Sequence, residues 1–98
     1  MKFSVRVSEY QKKITLNICD ADLLGKKIIQ DALTMHISEA YYGKKIIEAD
    51  EAKTLLKNSS IINMVGKDTI SLAVDLGIGS QGGVKVISDV PFLIVFNA

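Results

Sequence analysis

The chain has little cysteine, histidine or net charge, and each shortage argues against a class of function. Its single cysteine, Cys19, cannot form an internal disulfide, which suits a reducing compartment and predicts a cytoplasmic protein. Its single histidine, His36, has no second histidine with which to build a usual zinc site, so we predict no metal and no cofactor. The net charge of +1 argues against a dedicated nucleic-acid binder, although a local basic patch is compatible with a balanced total.

Long apolar segments are also missing. The longest apolar run, Phe92 to Phe96, has five residues, whereas a helix needs about 20 to cross a bilayer. The N-terminus alternates polar and apolar residues and has no apolar core of signal-peptide length. We therefore expect no membrane association. The 98 residues, 48% hydrophobic and 23% charged, predict a single globular domain over residues 1–98.

Several runs alternate apolar and polar residues with a period of two, which predicts half-buried strands. These runs begin at Phe3, Ile14, Leu33 and Val84. Residues 9–12 join the first two runs, and this length suits a hairpin. The segment Phe92–Phe96 is apolar at every position, which predicts a central strand covered on both faces or, alternatively, the most buried strand of the sheet.

Two main helices are predicted between these strands. The first begins at Asp50, and its apolar stripe continues to Asn63 and ends near Val65. An end near Ser59 stays open, because the β-branched residues at 61 and 62 lower helix propensity. The second runs from Asp68 to residue 77. Together these elements predict an α+β fold, with a mostly antiparallel sheet of about five strands and two main helices packed on one face.

The segment Asn63 to Lys67 is the first candidate site. The pattern places the Asn63 amide near a helix end, Gly66 at the corner, and Lys67 at the start of the next helix. A helix N-terminus with a neighbouring lysine attracts anions. The structural alternative is a tight helix–helix corner, in which the amide of Asn63 satisfies backbone groups of the turn.

A second candidate combines basic and aromatic residues. The motif Lys-Lys-Ile begins at Lys12, Lys26 and Lys44, which predicts a basic strip where three strands begin. Ser38 is placed to cap a short turn that contains Tyr41 and Tyr42, and tyrosine rings stack on bases or other flat ligands. The structural alternatives are lysines that keep strand edges soluble and a tyrosine that packs in the core.

The order and spacing of several short segments resemble a family of small archaeal proteins, the domain of unknown function numbered four hundred and twenty-four. The matching segments are Ile18-Cys19-Asp20 through Leu23-Leu24-Gly25-Lys26, Tyr41-Tyr42-Gly43, Asn63-Met64-Val65-Gly66, and Ile87 through Val90-Pro91. The resemblance implies an archaeal cytosolic setting and an α+β domain, without an activity. The family usually has histidine after the late proline, where this chain has Phe92.

We expect a non-enzymatic binding module rather than an enzyme, because no nucleophile is paired with an oriented base. The expected partner is RNA or a ribonucleoprotein, bound by the lysine pairs and the tyrosines. The alternative is a protein that binds a small molecule or an anion, with weak catalysis as an option, at the corner formed by Asn63, Gly66 and Lys67.

Overall fold

The computed structural model describes residues 1–43 and 45–97. Its strands are β1 (Lys2–Tyr10), β2 (Lys13–Asp20), β3 (Lys27–Gln30), β4 (Leu33–His36), β5 (Lys45–Glu48), β6 (Ile61–Val65), β7 (Lys85–Ile87) and β8 (Val90–Phe96). Its helices are α1 (Glu39–Tyr42), α2 (Ala49–Asn58) and α3 (Lys67–Asp75), and single 3₁₀ turns lie at Ala21–Leu23 and Gln81–Gly83. No helix within the described ranges is long and apolar enough to cross a membrane.

Six strands form one sheet in the order β5-β1-β2-β6-β8-β7, and β3 and β4 form a separate hairpin. Neighbouring strands of the sheet are antiparallel except for β2 and β6, which run parallel in its middle. The α+β class and the mostly antiparallel sheet are therefore confirmed. The sheet has six strands instead of about five, and α1 is a third helix.

The first face of the sheet carries the larger core. Alternate residues of β1, β2 and β6, such as Phe3, Leu16 and Ile62, point to this face and are fully buried. The amphipathic helices α2 and α3 cover them with Leu56 and Ile70. This burial of apolar area is the main force that holds the helices on the sheet.

The second face is covered only in part. Cys19 and Val65 on the sheet are buried beneath Tyr42 of α1 and Ile28 of the β3–β4 hairpin. The hairpin reaches the turn before β8, where Ser88 donates hydrogen bonds to the Gln30 side chain and to the Ile29 carbonyl. The two helices predicted for one face are therefore α2 and α3, while the short helix α1 packs on the opposite face.

The predicted helix over residues 50–65 is wrong in its second half. Helix α2 ends at Asn58, and Ile61 to Val65 form β6, where Asn63 is a strand residue between β2 and β8. The β-branched residues at 61, 62 and 65 fit an extended backbone. A short apolar run cannot be assigned to helix or strand from its period alone.

The predicted cover over both faces of Phe92–Phe96 is also wrong. Strand β8 lies between β6 and β7, and Leu93 is buried in the first core. On the second face, however, Ile94 is 59% exposed and Phe96 is 76% exposed. The hairpin and α1 cover this face only at one end of the sheet, so the other end stays open.

Candidate functional site

The uncovered end of the second face has a regular arrangement of side chains. Residues paired across neighbouring strands point to the same face, and the register places Arg6, Asn17, Asn63 and Ile94 in one row across β1, β2, β6 and β8. The next row towards the β1–β2 turn is Ser8, Thr15, Ile61 and Phe96, and beyond it Tyr10 pairs with Lys13. These ten side chains are called the open face below.

Helix α1 borders the open face and is held there by side chains from the sheet. Ser4 Oγ donates to the carbonyl of residue 42 over 2.9 Å, and Asn17 Nδ2 donates to the carbonyl of residue 41 over 3.0 Å. Arg6 donates to the carbonyl of residue 40. The carbonyls at the end of a helix have no partner within it, so these donors both satisfy them and fix the position of Tyr41.

A groove of about 300 Å³ runs between α1 and the last two strands. Its walls include Tyr41, Asn63, Lys85, Phe92 and Ile94. Phe92, which stands where the resemblance implies a histidine, gives the groove an apolar side chain at that point. The groove is therefore mainly apolar, with one amide and one ammonium group at its edges.

The two candidate tyrosines have different environments. The side chain of Tyr41 is 52% exposed at the groove, whereas Tyr42 is 9% exposed and packs in the second core. Their rings meet edge to face with centroids 5.1 Å apart. Burial, followed by the neighbouring Tyr41, raises the pKa of Tyr42 to about 12. Of these two tyrosines, only Tyr41 is therefore available to stack on a ligand.

Cys19 is buried and is not a reactive thiol. Burial first, and then the carboxylates of Asp20 and Asp22, raise the pKa of Cys19 from 9.0 to about 12. The thiolate is the nucleophilic form, so the neutral thiol that persists at physiological pH has little reactivity. Within the described ranges, no group of three or more His, Cys, Asp or Glu side chains is arranged to hold a metal ion.

The predicted basic strip does not form from the lysines that the structure describes. Lys12 lies in the turn between β1 and β2, and Lys26 follows the 3₁₀ turn at the far end of β2. Strand β2 has eight residues, and at about 3.3 Å per residue it separates the two lysines by roughly 25 Å. Lys44 lies outside the described residues. The cations of the open face are Arg6 and Lys13, of which Lys13 is the second lysine of the first Lys-Lys-Ile motif.

The predicted corner at Asn63, Gly66 and Lys67 is not assembled either. Gly66, with φ +111°, joins β6 to α3, so the order is strand, glycine, helix. Asn63 lies in the groove, whereas Gly66 and Lys67 line a separate cavity of about 250 Å³. The Nδ2 group of Asn63 donates a hydrogen bond to Asn17 Oδ1 on the neighbouring strand β2, so this amide does not satisfy backbone groups of the turn.

The N-terminus of α3 is occupied by a carboxylate of the chain itself. The Asp20 carboxylate accepts hydrogen bonds from Asp68 N over 3.2 Å and from Thr69 N over 2.8 Å. Asp20 also directly precedes the 3₁₀ turn at Ala21–Leu23, where a capping residue stands, but its side chain makes no hydrogen bond to that turn. Asp22 and Asp89 also line this cavity, and their charges repel an anion.

Sequence reasoning missed most of the open face. The alternation that predicted β1 and β2 already placed Arg6 and Asn17 on their polar side, whereas Tyr10 was predicted in the connection between them. Only the pairing of β2 with β6 and of β6 with β8 shows that Asn63 and Phe96 share that side. The register of strands distant in sequence was the missing information.

The comparisons with known proteins agree with the resemblance seen in the sequence. One solved structure, an uncharacterized conserved protein from Methanopyrus kandleri, is similar with a TM-score of 0.81 and 25% sequence identity. The match covers 100% of this chain and 95% of that one. No curated protein matches the chain. The family model described as a protein of unknown function (DUF424) matches residues 8–98. The chain therefore belongs to the DUF424 family.

Proposed function

We propose that the protein is a non-enzymatic binding module that holds single-stranded RNA on its open face. The proposal rests on one observation: exposed aromatic rings and cations lie together on the open face and at its border. Tyr10 and Phe96 are each 76% exposed there, and Tyr41 is 52% exposed at its border. Such rings are costly to leave in water, and they suit stacking with unpaired bases.

The charges near these rings favour a polyanion. The open face carries Arg6 and Lys13, none of its ten residues is acidic, and Lys85 lies at the groove. The phosphates along an RNA strand bind cations of this kind. A stacking surface with a few cations therefore binds RNA without a large net charge. The net charge of +1 is therefore compatible with the proposal.

The groove limits the form of the ligand. A volume of about 300 Å³ is at the lower end of small-ligand sites, and it has room for single bases but not for a duplex. A double helix also shields the faces of its bases, which Tyr41 and Phe96 would have to contact. We therefore propose unpaired RNA as the ligand.

Fluorescence anisotropy with a labelled RNA of about eight nucleotides and mixed sequence tests the proposal. Affinity should fall steeply between about 50 mM and about 200 mM salt, because bound phosphates release counterions. Tyr41→Ala should weaken binding by about 1–3 kcal/mol, the usual contribution of one stacked base. Lys85→Ala should lower the slope of log affinity against log salt by about 0.7, the contribution of one phosphate contact.

Matched controls lie on the first face. Lys57→Ala removes an exposed lysine of α2, and Val7→Ala removes a 47% exposed apolar side chain. Neither should change RNA affinity. Absence of binding at about 50 mM salt would refute the proposal. Equal losses in the control variants would also refute it.

A further inference from the structure

Two opposite corners of the surface formed by the open face and the groove each combine an aromatic ring with a lysine. At one corner, Lys85 of the edge strand β7 lines the groove together with Tyr41. At the other, beside the β1–β2 turn, Lys13 is paired across the hairpin with Tyr10. Both lysine side chains are exposed, and among the described residues neither forms an ion pair. Each corner therefore offers a stacking surface and an ammonium group for a phosphate.

A diagonal row of side chains joins the two corners. Four neighbouring strands contribute one residue each, every one a row nearer the β1–β2 turn than the one before: Lys85, Ile94, Ile61 and Lys13. Ile94 is 59% exposed, and Phe96, which is 76% exposed, stands beside the diagonal. The diagonal is therefore apolar in its middle and has a lysine at each end.

The register also sets the length of the diagonal. It crosses three strand spacings of about 4.8 Å and three row spacings of about 6.7 Å, which gives roughly 25 Å between the Cα atoms of the two lysines. Neighbouring bases of one strand are about 3.4 Å apart when they stack on each other, and a side-chain ring between them roughly doubles this distance. About four to seven nucleotides therefore span the diagonal.

We propose that the RNA strand crosses the open face along this diagonal, from the groove to the β1–β2 turn. This inference rests on the proposed RNA-binding function. One phosphate binds Lys85 and a phosphate several nucleotides away binds Lys13, while the bases between them lie on the apolar middle. The ligand is thus a strand of at least about four nucleotides, because a mononucleotide or dinucleotide reaches only one corner.

The remaining cation of the open face does not offer an equal end point. The guanidinium of Arg6 donates to the carbonyl of residue 40 and helps to hold α1 on the sheet. Lys13 has no such role, and its neighbour Tyr10 presents a ring that is 76% exposed. A base and a phosphate can therefore bind together at Lys13, beyond the reach of the groove.

Two lengths of RNA test the path. The labelled RNA of about eight nucleotides reaches both corners. Lys13→Ala and Lys85→Ala should therefore each lower the slope of its log affinity against log salt by about 0.7, and together by about 1.4. A trinucleotide has only a pair of neighbouring phosphates and reaches one lysine, so the double variant should lower its slope by no more than about 0.7. Its weaker binding can be followed by NMR titration.

A ring variant and a control complete the set. Tyr10→Ala should weaken binding of the longer RNA by about 5- to 150-fold, the contribution of one stacked base. Lys57→Ala removes an exposed lysine of α2 on the first face, and it should change neither slope.

A spin label on the longer RNA gives a readout that needs no substitution. A label on one end should broaden the NMR signals of amides at one corner only, and a label on the other end should broaden those at the opposite corner. Broadening confined to the groove from both labels would overturn the path and leave RNA binding itself intact. Unchanged salt slope in Lys13→Ala together with unchanged affinity in Tyr10→Ala would do the same. Absence of RNA binding would overturn the proposed function and the path with it.

Discussion

The Asp20 carboxylate at the start of α3 allows one prediction to be worked out in detail. Its Oδ1 atom accepts from Thr69 N over 2.8 Å and from Thr69 Oγ1 over 2.7 Å, and Oδ2 accepts from Asp68 N over 3.2 Å. Asp20 is 7% exposed and Thr69 is fully buried. Water therefore cannot readily replace the carboxylate at the Thr69 donors if it is removed.

Asp20→Ala should destabilise the protein by about 3 kcal/mol. Loss of a helix N-cap costs about 0.5–2 kcal/mol, and the unsatisfied hydroxyl of Thr69 adds roughly 1–3 kcal/mol. For a domain of this size, that change lowers Tm by roughly 12–24 °C. Urea unfolding followed by circular dichroism would measure the free energy, provided the transition is two-state.

Two companion variants make the test specific. Asp22→Ala removes an exposed carboxylate from the same cavity and should change the unfolding free energy by less than about 0.5 kcal/mol. Asp20→Asn keeps one acceptor oxygen and should cost roughly half as much as Asp20→Ala. If Asp20→Ala were as stable as the native protein, or no less stable than Asp22→Ala, the assigned cap would be refuted.

A substitution at Gly66 tests independently whether the Asp20 carboxylate lies against the start of α3. A Cβ atom at Gly66 would lie within 2.5 Å of both carboxylate oxygens of Asp20, on a backbone with φ +111°. Gly66→Ala alone should therefore be severely destabilising. In the Asp20→Ala background the clash is gone and only the backbone strain remains, so the double variant should be more stable than the sum of the single effects predicts. Simple additivity would show that the two residues do not touch.

The remaining predictions concern the core. Because the pKa of Cys19 is raised from 9.0 to about 12, the folded state keeps a proton that the unfolded state releases. The contribution of the Cys19 thiol to stability is present below pH 9 and is lost as pH rises towards 12. The Tm of Cys19→Ala should therefore fall less steeply at alkaline pH than the Tm of the native protein. Leu56→Ala, at a fully buried position of α2, should cost about 2–5 kcal/mol in urea unfolding. Gly79→Ala should lower Tm, because its Cβ would lie 2.9 Å from Leu93 Cδ2 at φ +73°.

The sequence predicted those parts of the fold that depend on local signals. The alternation beginning at Phe3 and at Ile14 corresponds to β1 and β2, and the turn between them has positive φ at Gln11 and Lys12, as a tight hairpin requires. The side chain of Ser38 caps α1 as its position suggested, by accepting from Tyr41 N over 3.2 Å. In each case the deciding contacts lie within a few residues.

The parts that were wrong depend on contacts between distant residues. Asn63 fits the apolar stripe of a helix, but its segment is extended because it pairs with β2 on one side and β8 on the other. Asp20 directly precedes a 3₁₀ turn that it could cap, yet the partners of its carboxylate are nearly fifty positions away. The candidate site has the same dependence, since Asn17 and Asn63 meet only through the β2–β6 register.

The parallel pair at the centre of the sheet also has a kinetic consequence. Thr15 and Ile61 are neighbours in the sheet although α1, α2 and three strands separate them along the chain. Closing so long a loop costs entropy before any pairing energy is gained, so refolding should be slow compared with helical proteins of equal length. The β1–β2, β3–β4 and β7–β8 hairpins can form early without that closure. While β6 is still unpaired, its apolar edge is exposed to other unfolded chains, so refolding yield should fall as protein concentration rises.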